Sequence, residues 1–174
     1  VIVDWDRDEL ERRRDELLDV YAEAMQVSSS AARARRPIVS AHLDRPGLRA
    51  VAASADDGRL IGVAYGYLGE PGQWWHDQVS SALAPEVAST WLSGAFEVCE
   101  LHVRPAEQGK GMGRALLDRL LAGPPSHAAV LTTPDKETRA RAFYRDGGWV
   151  DLLRGLMFPG DPRAFAVLGK RLAT

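Results

Sequence analysis

The chain has 174 residues, 45% of them hydrophobic, which is enough for one core and short for two full domains, so residues 1–174 read as a single domain. Its 22 basic and 24 acidic residues nearly cancel, which gives no support to sequence-independent nucleic-acid binding and favours small-molecule or peptide partners. The lone cysteine, Cys99, excludes an intramolecular disulfide and a cysteine-built zinc site. With no apolar run near the roughly 20 residues of a membrane helix and no signal-like start, a cytoplasmic monomer or homodimer is expected.

Asp6 and Glu9 have the spacing of a capping box, and Leu10, Leu17, Leu18, Tyr21 and Met25 recur at helical intervals, which predicts an amphipathic helix over about 7–26. A second, weaker helix is expected over 31–43, with Arg33, Arg35 and Arg36 read as a solvated face balanced by nearby acids. Residues 48–55 and 60–68 are apolar runs joined by Asp56-Asp57-Gly58, the chemistry of a tight hairpin. Residues 69–95, with Trp74, Trp75 and Trp91, read as an insertion of short helices. After it come a strand over 96–103, a helix over 111–122, a strand over 128–133 and a helix over 136–146 closed by Gly147-Gly148. Strands over 150–157 and 164–172 complete a mixed α/β sheet covered by helices on both faces.

The segment Gln108-Gly109-Lys110-Gly111-Met112-Gly113 carries glycines at alternate positions directly before an amphipathic helix. Such a turn lets backbone N–H groups approach an anion, with the helix dipole adding attraction; a plain tight turn has the same composition. A P-loop ending at Gly109-Lys110 would need glycine at 104 and Ser or Thr at 111, where the chain has Arg104 and Gly111. A dinucleotide fingerprint from Gly109 would need glycine at 114, which is Arg114. Pro105 ends the preceding strand and leaves backbone groups at its end for an extended ligand to pair with.

Leu101-x-Val103-x-Pro105, then Gln108-x-x-Gly111-x-Gly113 and Leu116-Leu117, resembles the central acetyl-CoA motif of the Gcn5-related N-acetyltransferase (GNAT) superfamily. The run from Ala140 to Trp149, with its Phe143-Tyr144 pair, resembles that family's next motif. Glu137 stands where many members have asparagine. The resemblance implies a GNAT-like acyl-CoA N-acyltransferase fold, mostly antiparallel, with a splayed parallel pair formed by the strands at 96–103 and 128–133. It also implies acetyl-CoA as co-substrate, without a metal. By the same resemblance Leu101, His102 and Val103 bond the pantetheine through their backbones, Gln108, Gly109, Lys110, Gly111, Met112, Gly113 and Arg114 wrap the pyrophosphate, and Tyr144 lies at the sulfur as general acid.

Transfer to an amine also needs a base, because an alkylammonium has a pKa of about 10. Glu100 and His102, two apart on one strand, share a face and are the candidates, Glu100 first; a carboxylate paired to an arginine is Glu100's other role. The family builds its acceptor pocket from residues equivalent to those around 25–36 and 158–165, and Trp74, Trp75 and Tyr65 are further candidates for it. The functions left open are N-acetyl transfer to a small or peptide amine, a non-catalytic acyl-CoA sensor, and transfer of another acyl group or to a hydroxyl.

Overall fold

The computed structural model describes residues 1–123 and 126–173. Seven strands form one sheet in the order β1-β2-β3-β4-β5-β7-β6. Antiparallel pairing joins β1 (Ile2–Trp5) to β2 (Arg49–Ser54), β2 to β3 (Leu60–Leu68), β5 (Ala128–Pro134) to β7 (Ala164–Arg171), and β6 (Val150–Met157) to β7. The parallel pair is β4 (Phe96–Val103) with β5, in register at Phe96↔Ala129 and Glu97↔Val130. The chain divides into two compact units, residues 1–67 with 98–124 and residues 68–97 with 125–174.

In the first unit the sequence's single long helix is two. α1 (Arg7–Arg12) starts on Asp6, whose carboxylate accepts from the Glu9 N–H at 2.8 Å, and α2 (Arg14–Met25) resumes after Arg13. The helix expected over 31–43 is likewise two, α3 (Ser29–Arg33) and α4 (Arg36–His42). Pro37 explains the division: it lacks an N–H and disfavours helical backbone in the residue before it, so it belongs in the first turn of a helix and not in its middle. β1 is an added element; four residues are too few for alternation to declare a strand. β3 is buried along nearly its whole length, which is why its sequence is a continuous apolar run. Leu10, Leu17, Leu18, Val39, Leu60, Val63 and Tyr65 lie in the core of this unit.

In the second unit the insertion folds as α5 (Trp74–Ala82) and α6 (Pro85–Leu92). Val79, Leu83 and Leu92 from these helices pack with Val130, Phe158 and Val167. Gly169 of β7 leaves room for Trp91: a Cβ there would come within 2.7 Å of the indole and 2.9 Å of Leu152. α8 (Arg139–Asp146) starts later than its periodicity predicts because Thr138 caps it, accepting from the Arg141 N–H at 3.1 Å. Beyond its end Gly148 takes φ +83°, a left-handed conformation that favours glycine.

Candidate active site

The glycine turn lies in the first unit. After β4, one turn of 3-10 helix over Pro105–Glu107 leads to Gln108, whose side-chain amide donates to the Val103 carbonyl at 2.9 Å and so folds the turn back on the strand end. Gly109 has φ +75° and Gly111 φ +83°, so both glycines are required by backbone conformation. Gly111 is the N-cap of α7 (Met112–Leu121) and offers no side chain to its first amides. An uncapped helix start leaves its N–H groups for an external acceptor, and the helix dipole favours that acceptor being an anion. Nothing lies within 4 Å of a Cβ placed on Gly111. The turn therefore fits a phosphate group on its open side. α7 is held beneath by buried Leu116, Leu117 and Leu120, the hydrophobic stripe that its sequence spacing predicts. Lys110 is exposed and pairs with Glu107 at 3.2 Å, while Arg114 sits in the first turn of α7.

The strand leading to this turn carries a charged cluster. Glu100, only 7% exposed, accepts from Arg35 Nη2 at 2.5 Å through Oε1 and contacts His102 Nε2 through Oε2. Burial by itself would push the Glu100 carboxyl up, but His102 and Arg35 outweigh it and hold Glu100 below the usual carboxylate range. The Arg35 guanidinium lies 4.5 Å from the centre of the Tyr21 ring, and that ring meets His102 edge-on at 5.1 Å.

Next to Glu100, Cys99 has its sulfur 3.4 Å from His42 Nδ1. Alternation puts adjacent strand residues on opposite faces, yet Cys99 and Glu100 reach His42 and Arg35, which lie at the two ends of α4. His42, which sequence gave no reason to single out, also bonds the Tyr65 hydroxyl at 2.8 Å. Burial lowers its pKa to about 4, with Arg45 and Arg35 acting in the same direction and Glu100 opposing. Tyr65 itself is fully enclosed, at 0% exposure, and burial pushes its hydroxyl well above the ordinary value. It lines the core of this unit.

At the end of β4 the Arg104 N–H donates to the Ile61 carbonyl at 2.8 Å, Arg104 Nε donates to the Leu60 carbonyl at 2.6 Å, and Arg104 also pairs with Glu23. A groove of about 490 Å³ is lined by Asp19, Ala22, Glu23, Val27, Ser29 and Arg104, with two acidic groups on the α2 side. It belongs to the stretch around 25–36 from which an acceptor pocket is expected.

In the second unit, Tyr144 lies near the end of α8. Its ring packs edge-on against Phe143 at 5.2 Å and Trp149 at 5.6 Å. Arg141, buried one turn earlier, bonds Asp151 of β6 at 3.0 Å and fixes the helix against that strand. Trp74 is 56% exposed and packs on Phe158 at 5.3 Å, which in turn meets Phe165 at 5.3 Å. Trp75 turns inward and donates from its indole N–H to Thr132 at 3.2 Å, so the two adjacent tryptophans have different surroundings. A cavity of about 870 Å³ lies within the insertion, lined by Leu68, Glu70, His76, Ser80, Leu83 and Leu92 among others. Among the described residues there is no cluster of three metal-ligating side chains, and no helix is long and apolar enough to cross a membrane.

The same fold recurs in known proteins. A family model described as the acetyltransferase (GNAT) family matches residues 12–149. The chain is 38% identical to a GCN5-like protein acetyltransferase of Mycobacterium tuberculosis, over 98% of this chain and 97% of that protein. Among solved structures, an acetyltransferase of the GNAT family from Staphylococcus aureus aligns with a TM-score of 0.66 at 14% identity, over 99% of each chain. An aminoglycoside 6'-N-acetyltransferase complexed with coenzyme A aligns with a TM-score of 0.67 at 16% identity, over 100% of this chain and 98% of that one. At such identities these two likenesses bear on the fold. Family model, relative and strand topology agree, and the chain belongs to the GNAT family of acetyltransferases.

Proposed function

We propose that the chain is an N-acetyltransferase that moves the acetyl group of acetyl-CoA to a primary amine by direct attack. The observation that carries this reading is the uncapped start of α7 at Gly111, opened by two left-handed glycines and directly following the strand that holds Glu100 and His102. That turn offers backbone donors to the CoA pyrophosphate, from Gln108, Gly109, Lys110, Gly111, Met112 and Gly113, with Lys110 and Arg114 as added positive charge. The backbones of Leu101, His102 and Val103 are proposed to pair with the pantetheine. Acetyl-CoA supplies the acyl group activated as a thioester.

The residues then have three tasks. The Glu100–His102 pair takes a proton from the acceptor ammonium, leaving a neutral amine whose nitrogen bonds to the acyl carbon. A backbone N–H near Val103 stabilises the oxyanion that forms; the Arg104 N–H is committed to Ile61. Tyr144 gives its proton to the sulfur as the carbon–sulfur bond breaks, and the second proton that the nitrogen sheds in becoming an amide returns to Tyr144 through solvent. Asp19 and Glu23 beside the groove are already paired, with Arg33 and Arg104, and the exposed face of Trp74 favours an acceptor with apolar character. A 38% identical relative named as a protein acetyltransferase supports a lysine side chain of a protein or peptide as that acceptor.

The test is release of free thiol from acetyl-CoA with a panel of lysine peptides, aliphatic amines, aminoglycosides and hydroxyl acceptors, repeated with longer acyl-CoA thioesters. Turnover with lysine peptides is expected. Tight CoA binding without turnover of any acceptor would identify an acyl-CoA sensor instead.

A further inference from the structure

Four side chains of the first unit close on one another through β4. Arg35 holds one oxygen of Glu100, the other oxygen holds His102 Nε2, Tyr21 meets the His102 ring edge-on, and Arg35 lies over Tyr21. Their sequence positions are far apart, 65 residues between Arg35 and Glu100 alone.

The ring decides which atom is free to accept a proton. A carboxylate only accepts hydrogen bonds, so the hydrogen shared by Glu100 and His102 resides on Nε2. A neutral imidazole with its proton on Nε2 carries its lone pair on Nδ1. Glu100, in contrast, is enclosed, and both its oxygens are occupied. We propose that His102 accepts the ammonium proton at Nδ1, that Glu100 orients His102 and faces the imidazolium that forms, and that Arg35, seated on Tyr21, is the positioning residue of the pair. This rests on the N-acetyltransferase reading and deepens it. The proton leaves the acceptor nitrogen for Nδ1 and passes from there to solvent after each turnover. Arg35 touches neither substrate; it acts through Glu100, whose orientation sets the tautomer of His102. The other ionisable groups around the pair include Tyr21 on α2, His42 at the end of α4, Tyr65 and Tyr67 on β3 and Cys99 on β4, with Arg45 acting on His42.

The experiment compares the pH dependence of kcat/KM for the wild-type chain with Arg35→Met, Arg35→Lys, Glu100→Gln and His102→Gln, using the acceptor found in the panel. Removing the Arg35 cation favours the imidazolium, so Arg35→Met should move the acidic limb up by about one pH unit and lower kcat about tenfold, with KM for acetyl-CoA unchanged. Arg35→Lys should return the limb toward its wild-type position. Glu100→Gln removes the anion and should move the limb down, the opposite direction. His102→Gln should remove the limb. If His102→Gln keeps it and Glu100→Gln abolishes activity, Glu100 is the base and the proposal falls. If Arg35→Met lowers only the melting temperature, Arg35 is structural and its positioning role falls. An NMR titration of the His102 imidazole in the same variants reads the coupling without turnover. Opposite shifts for Arg35→Met and Glu100→Gln uphold the Arg35–Glu100–His102 linkage even where wild-type inactivity defeats the transferase reading, and absence of such shifts overturns it.

Discussion

The glycine turn before α7 and the ring on β4 are neighbours along the chain, yet they are built in opposite ways. The turn works through backbone: Gly109 and Gly111 adopt left-handed conformations, and the groups it presents are amides. The ring works through side chains that α2, the α3–α4 junction and β4 bring together. A backbone site is lost when a charged side chain takes the anion's place, whereas a side-chain site degrades by degrees. On the proposed mechanism, cofactor grip and proton transfer should therefore be separable by mutation.

The strongest way to break it is Gly111→Asp. The variant places a carboxylate at the anion seat and forces φ +83° on a residue with a Cβ, and CoA affinity measured by calorimetry should fall at least about 100-fold with turnover lost. Gly111→Ala sharpens the point. Open space around the Cβ leaves only the conformational cost of about 1 kcal/mol, so binding should weaken modestly, separating conformation from charge. Normal CoA binding by folded Gly111→Asp would remove the turn from the site.

Tyr144→Phe comes next. CoA affinity should be retained and kcat should drop about 100-fold, the scale of a lost general acid; an unchanged rate takes Tyr144 out of the chemistry. Gly169→Ala should act on neither site. It sets a methyl against Trp91 and Leu152 in the second unit, so denaturant titration should show a loss of roughly 1–3 kcal/mol, with CoA affinity in the folded protein unaffected.

The remaining effect concerns acid. His42 has a folded pKa of about 4, below its unfolded value of about 6.5, so the unfolded chain binds the extra proton first and stability falls as pH drops from about 6.5 to about 4. Glu100, held below the usual carboxylate range, adds its own loss further down, as pH falls through its folded pKa. In His42→Gln, whose amide can still accept from Tyr65, urea midpoints should vary less over the upper window. An unchanged pH slope would show that His42 is not the group responsible.

The difference between the two sites also explains what could be read in advance. β4 was legible at both ends, Phe96 and Val103, because its apolar run meets Pro105; the turn was legible because glycines at alternate positions before a helix lie close together in the sequence. The hairpin of β2 and β3 followed from Asp57-Gly58, where the Arg59 N–H indeed donates to Asp57 at 2.9 Å. The ring was legible only in part: Glu100 and His102 were expected on one face, with an arginine as a possible partner for Glu100, but which arginine was not. Arg33 and Arg36 pair with Asp19 and Asp15 as a solvated face should, but Arg35 between them turns inward, and only the packing of α4 on β4 reveals that. The one hint was Pro37, which forces a helix boundary just after Arg35 and frees it from the surface periodicity. His42 stayed hidden for a related reason. Its partners Tyr65 and Cys99 come from strands that no local pattern connects to α4.

The anchoring of Glu100 by a residue between α3 and α4 matters for anyone who would retarget this protein. Loops and helices beside a groove are the usual parts to exchange between related enzymes, and here the segment that runs from Asp19 to Ser29 along the groove contains Tyr21, with Arg35 a short way beyond it. A graft that extends through position 35 removes Tyr21 and Arg35 and leaves Glu100 and His102 without the side chains that hold them in place. On the proposed mechanism, a chimera that retains Tyr21 and Arg35 should keep its base behind a new door, and one without them should leave its acceptor protonated.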